Sequence, residues 1–197
     1  MERCACYFSV RDFLKMDQKT WLNTMTESVQ KMHPGEVTKS QIESWCDCFH
    51  VLQHELALIP EVTNNLFIIF EYWLPQHSPE NNKTANDNGV RADVILLDKK
   101  TVTVLEFKRL KELFFGHVRQ TRKYRRRIQD YHDQSLGMNK KAVLVLTKAE
   151  DFNKDYKKVF VRSSDRLASV LKTIYTPNTE PHPDPKRWIE STFSVHK

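Results

Sequence analysis

Glycine is scarce. The chain has four glycines in 197 residues, Gly35, Gly89, Gly116 and Gly137, and they lie far apart. Neither GxxxxGK[ST] nor GxGxxG is therefore present, which excludes a P-loop and a Rossmann-type dinucleotide fingerprint. Long apolar runs are also missing: Leu66 to Phe70 falls far short of the roughly 18 residues a membrane-spanning helix needs, so no membrane partner is expected. The opening MERCACYFSV lacks a basic start followed by a long apolar stretch, so export by a signal peptide is not expected and a cytoplasmic location is. The cysteines form two CxC pairs, Cys4 with Cys6 and Cys46 with Cys48, without the CxxC spacing of zinc sites. They read as core thiols of a reducing compartment.

What is present is a chain with 40% hydrophobic residues, enough for one sizeable core, and a net charge of +6. Charge location says more than the sum. From Arg119 to Arg127 there are six basic residues in nine: Arg119, Arg122, Lys123, Arg125, Arg126 and Arg127. Such density favours contact with a polyanion.

Apolar spacing of three and four predicts helices from Val10 to the break at His33-Pro34-Gly35, and again from about Gln41 to Leu56. NLFIIFEYWL (65–74), Val90 to Leu97 and Thr101 to Lys108 read as strands, the last two forming a hairpin through Asp98-Lys99-Lys100. The polar stretch between Leu74 and Val90 reads as an exposed loop. A long helix from Leu113 or His117 to Asp133 precedes a buried strand at Ala142 to Thr147, a short strand at Lys158 to Arg162 and a helix at Asp165 to Tyr175. Prolines crowd 177–185, which reads as an extended linker with Trp188 and Ile189 as a last docking turn. The expected division is a helical extension over 1–36, a core over 37–176, and a linker and tail over 177–197.

Chemistry concentrates in Arg91-Ala92-Asp93 and Leu105-Glu106-Phe107-Lys108. Alternate strand residues share a face, so Glu106 and Lys108 project together, and the hairpin brings Asp93 beside them. Carboxylates in an otherwise apolar sheet are costly unless compensated, and a hard divalent cation with oxygen ligands, Mg²⁺ or Mn²⁺, is the expected compensation. Gln120 and Tyr124 follow at i and i+4 on one helix face. At 100° per residue, Gln120, Tyr124, Arg127 and Tyr131 fall within about 60° of one another, which makes Arg127 the expected phosphate contact. His132 reads as either a site contact or a helix cap.

The set Asp93, Glu106-Phe107-Lys108 and Gln120-to-Tyr124 resembles the PD-(D/E)xK nuclease superfamily, in its RecB-like QxxxY branch. Together with SQIESW, IIFEYWLP, RADVILL, LEFK and RQTRKYRRRIQDYH, the chain is most similar to the nuclease-like domain that precedes a bacterial DNA/RNA helicase module. The resemblance implies an α/β fold: a restriction-endonuclease-like αβββαβ core whose central mixed sheet is flanked by helices. It also implies metal-dependent hydrolysis of DNA phosphodiesters in defence or repair, with RNA left open. Asp93, Glu106 and the Phe107 carbonyl would hold the metal, and Lys108 would be the catalytic lysine. Gln120 and Tyr124 would support the site, and Arg119, Arg122, Lys123, Arg127, Tyr131 and His132 would contact nucleic acid. A further acidic residue is expected, with Glu71 preferred over Glu55. Ala92 stands where the superfamily name has proline, a position that carries no catalytic group. The cluster of some RecB-like relatives takes one cysteine upstream and three downstream of the catalytic motifs, whereas all four cysteines here lie ahead of Asp93, so no iron–sulfur cluster is expected. A helicase module, another partner protein and a second copy of the chain are the implied partners; a binding module without catalysis is the competing reading.

Overall fold

The computed structural model describes residues 2–35, 37–75 and 89–196. The loop expected between Leu74 and Val90 lies largely outside them. The chain begins with a strand, β1 (Cys6–Ser9), followed by α1 (Val10–Phe13), α2 (Gln18–Met32), α3 (Lys39–Ala57) and α4 (Pro60–Thr63). Asp17 and Thr38 cap α2 and α3, their side chains accepting from the backbone N–H groups of Thr20 and Gln41. Three strands come next, β2 (Phe67–Leu74), β3 (Val90–Leu97) and β4 (Thr101–Lys108), then α5 (Phe115–Tyr131) and β5 (Asn139–Leu146). A short hairpin, β6 (Asn153–Tyr156) and β7 (Val159–Ser163), leads to α6 (Leu167–Ile174) and α7 (Pro185–Ile189).

The architecture is α/β, with helices flanking a seven-stranded mixed sheet of order β1-β2-β3-β4-β5-β7-β6. The neighbours from β1 to β4 pair antiparallel, β4–β5 and β5–β7 pair parallel, and β7–β6 is antiparallel. Parallel pairing of β4 with β5 requires a crossover, and α5 supplies it. Asp98 fixes the β3–β4 turn, its Oδ1 accepting from the N–H groups of Lys100 and Thr101 at 2.7 and 2.5 Å.

Two cores lie on opposite sheet faces. On one, α2, α3 and α6 bury Trp21, Phe49, Leu52 and Leu171 against Ile68, Phe70, Leu105 and Val143. On the other, α5 and α7 bury Tyr124, Ile128 and Trp188 against Ile69, Ile95 and Val104. Trp21 packs its ring 5.1 Å from Phe70 and 5.2 Å from Phe49, so the described residues 2–35 contribute to the main core as well as a strand to the sheet. The segment after Pro177, read as a linker with Trp188 and Ile189 as a docking turn, buries both residues in α7. It returns across the second face, where Trp188 is fully buried and Phe193 makes a β-bridge with His132. Among the described residues no helix is long and apolar enough to cross a membrane.

Candidate active site

β2 and β3 pair from Phe67↔Leu97 to Phe70↔Val94 and again from Tyr72↔Ala92 onward. Glu71 and Asp93 face each other at the interruption. Ile68 and Phe70 pack toward α2 and α3, but beyond Glu71 the parity reverses, and Tyr72 and Leu74 pack with Tyr124 and Ile128 of α5. β3 reverses at the same level, with Val94 in the first core and Ala92 in the second. Glu71 carries the irregularity in its backbone, with φ 52°, a left-handed conformation costing a non-glycine residue about 1–2 kcal/mol. Such strain persists only where surrounding structure enforces it, and it clusters at functional sites.

The β3–β4 ladder ends at Val94↔Leu105. Past it, side chains take over the hydrogen bonding. The Asp93 N–H donates to Glu106 Oε1 at 3.0 Å, and the Phe107 N–H donates to Asp93 Oδ2 at 2.8 Å. Lys108 Nζ lies 3.6 Å from Glu106 Oε2. Across the gap, Glu71 Oε1 accepts from Trp45 Nε1 at 2.9 Å, and Arg91 Nη1 stands 3.3 Å from Glu71 Oε2. Gln120 Nε2 donates to Tyr124 Oη at 2.6 Å. Glu71, Arg91, Asp93, Phe107 and Tyr124 line a cleft of about 440 Å³, closed on the α3 side by Gln41, Trp45 and Cys48. Glu106 sits buried beneath it.

Burial raises the pKa of all three carboxylates, and their mutual repulsion adds to the shift of two. Glu71 is pushed up to about 7 by burial and by the Asp93 charge, against the pull of Arg91. Glu106 is raised well above the ordinary carboxylate range by burial and then by Asp93, while Lys108 opposes. Tyr124 rises to about 12, through burial and the negative charge of Glu106.

Among the described residues, no three His, Cys, Asp or Glu side chains are grouped to hold a metal ion. The oxygen donors nevertheless suit a hard cation once the backbone is counted. Asp93 Oδ1 and Glu106 Oε2 are the oxygens not taken by backbone amides. In a strand the N–H and C=O of one residue point the same way, so the Phe107 carbonyl, like its N–H, faces β3 where the ladder has ended.

Several expected residues lie elsewhere. Glu55, the rival of Glu71, is buried between α3 and α6, its Oε2 accepting from the Ala168 N–H at 3.0 Å, so it serves the N-terminal end of α6. Arg127 lies on the expected side of α5 but is buried, donating to the Pro75 carbonyl at the end of β2. His132 is fully buried against Trp188, with ring centroids 4.3 Å apart, and is neither a surface contact nor exposed to the cleft. Tyr131 packs with that second core. Arg119 and Lys123 are exposed and Arg122 is half-buried, all three off the Tyr124 side of α5. Trp45 and Arg91 join the site without having been singled out: Arg91 stands two residues from Asp93 on β3, whereas Trp45 has the same helical spacing as its core neighbours. No family model, no curated protein and no solved structure matches the chain.

Proposed function

We propose that the chain is a metal-dependent nuclease of the PD-(D/E)xK type that hydrolyses phosphodiester bonds of DNA. The observation that carries this reading is the reciprocal hydrogen bonding of Asp93 with Glu106 and Phe107 where β3 and β4 part, with Lys108 on Glu106. The succession α3-α4-β2-β3-β4-α5-β5, in which α4 is a single turn and α5 crosses between parallel strands, supports the restriction-endonuclease-like fold.

A bound Mg²⁺ or Mn²⁺, held by Asp93, Glu106 and the Phe107 carbonyl, would lower the pKa of a water and polarise the phosphodiester. The chain's own residues do the rest. Lys108, with three rotatable donors, orients the attacking water or offsets charge developing on the phosphate. Glu71, with a pKa of about 7, is poised to accept a proton near neutral pH. Trp45 holds Glu71 toward the cleft, and Gln120 holds the Tyr124 hydroxyl.

The test is incubation of the purified chain with circular and linear, single- and double-stranded DNA and with RNA, in Mg²⁺, Mn²⁺ or EDTA, beside Lys108→Ala. Cleavage that needs the cation and disappears in the variant is the expected result. Binding without cleavage under every condition would leave a catalytically silent binding module instead.

A further inference from the structure

The outward face of α5 carries an uncompensated stripe. At 100° per residue, Phe115, Arg119, Arg122 and Arg126 fall within about 60° of one another, and the last three lie about 140–160° from Tyr124. The opposite side of the helix is buried through Val118, Thr121, Tyr124 and Ile128. The stripe is thus the solvent side, remote from the cleft. Arg119, Arg122, Lys123 and Arg126 form no ion pair or hydrogen bond with any described residue. By contrast, Arg109 near the end of β4 is bound to both Glu43 and Asp47. Asp130, one turn beyond Arg126, is ion-paired with none of the four cations, and as neighbours they repel one another, a repulsion relieved when a polyanion lies along them.

At the head of the stripe are two exposed aromatics. Phe114 and Phe115 are 57% and 60% exposed. The Phe115 ring meets Tyr156 only edge-on, at an interplanar angle of 89° and a centroid distance of 5.3 Å. Large apolar rings left in water beside arginines make poor core and poor ordinary surface. An exposed ring is suited to stacking with a base, and stacking requires that the base be unpaired.

We infer that the outer face of α5 is a second nucleic-acid surface, separate from the cleft, which holds a single strand: Arg119, Arg122 and Arg126 contact successive phosphates, and Phe115, with Phe114 beside it, stacks an unpaired base. The inference extends the nuclease reading by naming an unpaired strand as what the protein carries, but binding on this face needs neither metal nor catalysis.

The test is fluorescence anisotropy of the full chain in EDTA, where no hydrolysis intervenes, with labelled oligo(dT), oligo(U) and a DNA duplex of equal length. Single strands are expected to bind more tightly than the duplex. Phe115→Ala should weaken single-strand binding about tenfold and leave duplex binding unchanged. The triple variant Arg119→Gln, Arg122→Gln, Arg126→Gln should weaken both and make the log–log salt dependence shallower by about 2 for single strands. Phe115, Arg119 and Arg126 are exposed and Arg122 is half-buried, and circular dichroism of each variant checks that the fold is kept. Single-strand binding by the triple variant equal to that of the parent would overturn the surface. Equal affinity for duplex and single strand, with Phe115→Ala silent, would overturn the stacking role. Neither result bears on metal-dependent cleavage by the parent, which is read separately.

Discussion

Asp93 donates its backbone N–H to Glu106 Oε1 at 3.0 Å, one position past the last β3–β4 pair. The return bond, from Phe107 to Asp93, makes each carboxylate the hydrogen-bond partner of an amide that would otherwise be orphaned by the parting strands. The two side chains therefore have a structural task and a chemical one at the same atoms. The irregularity that exposes them starts one strand away, at the left-handed Glu71.

These tasks separate under substitution. Glu106→Gln retains an acceptor for the Asp93 N–H and cannot ionise within the buried acidic cluster. Metal-free Glu106→Gln is expected to be at least as stable as the parent, with cleavage reduced about a hundredfold or more. Glu106→Ala orphans the amide and should lose about 1–3 kcal/mol. Urea midpoints in EDTA, compared at equal m-value, check the pair. A Gln variant as unstable as the Ala variant would show that the charge itself holds the strands.

Glu71 predicts a pH dependence of the metal-free protein. Its pKa rises from 4.5 to about 7 in the fold, so between those values the folded state retains a proton that the unfolded chain has released. The Glu71 contribution to stability is therefore greatest below about 4.5 and declines as pH rises to about 7, by up to about 3 kcal/mol. Glu71→Gln should remove this contribution and so change the slope of stability against pH over that range. Denaturation midpoints across that range, in EDTA, would contradict the assignment if the variant kept the parent's slope.

Glu55 serves as the contrasting acid. Its carboxylate accepts the Ala168 N–H at the first turn of α6, a site where a lost acceptor costs about 1–2 kcal/mol. Glu55→Ala should lower stability by that amount and leave cleavage per folded molecule within twofold of the parent. Activity normalised to the folded fraction checks it; a collapse of that normalised rate would return Glu55 to the site.

The sequence patterns that were legible are those set by burial on both sides. β2, β3, β4 and β5 are continuous apolar runs because helices cover both faces of the sheet. The strands that were not anticipated, β1 and β6, are the two edges, each four residues long, and β6 is the polar segment Asn-Lys-Asp-Tyr. An edge strand hydrogen-bonds along one side and needs no apolar run. At the site, Asp93, Glu106 and Lys108 were legible because hairpin geometry is local. Glu71 is preferred to Glu55 on sequence, although each is an acid within an apolar stretch; the partner that separates them, Ala168, is 113 residues from Glu55. Helical periodicity gave the direction of Arg127 correctly but carries no information on depth.

His132 closes a chain of hydrogen bonds that runs one way. Trp188 Nε1–H donates to Ser135 Oγ at 3.0 Å, and Ser135, its hydroxyl then free to donate, lies 2.8 Å from His132 Nδ1. On the other side, Tyr72 Oη donates to the Ile189 carbonyl and lies 3.1 Å from His132 Nε2, which leaves Nε2 to carry the proton. A second proton on Nδ1 would face the Ser135 hydroxyl donor, inside a pocket that excludes water. Burial accordingly lowers the His132 pKa from 6.5 to about 3. The unfolded chain then binds a proton between those values that the folded state refuses, so the His132 contribution to stability is full above about 6.5 and falls as pH drops, by as much as about 5 kcal/mol. This slope opposes that of Glu71 over the range they share, so the parent protein should show a muted pH dependence there. Replacing each residue separately exposes the other: His132→Gln should leave stability falling as pH rises from about 5 to 7, and Glu71→Gln should leave it rising. The same sign of slope in both variants, read from urea midpoints in EDTA, would refute the opposition.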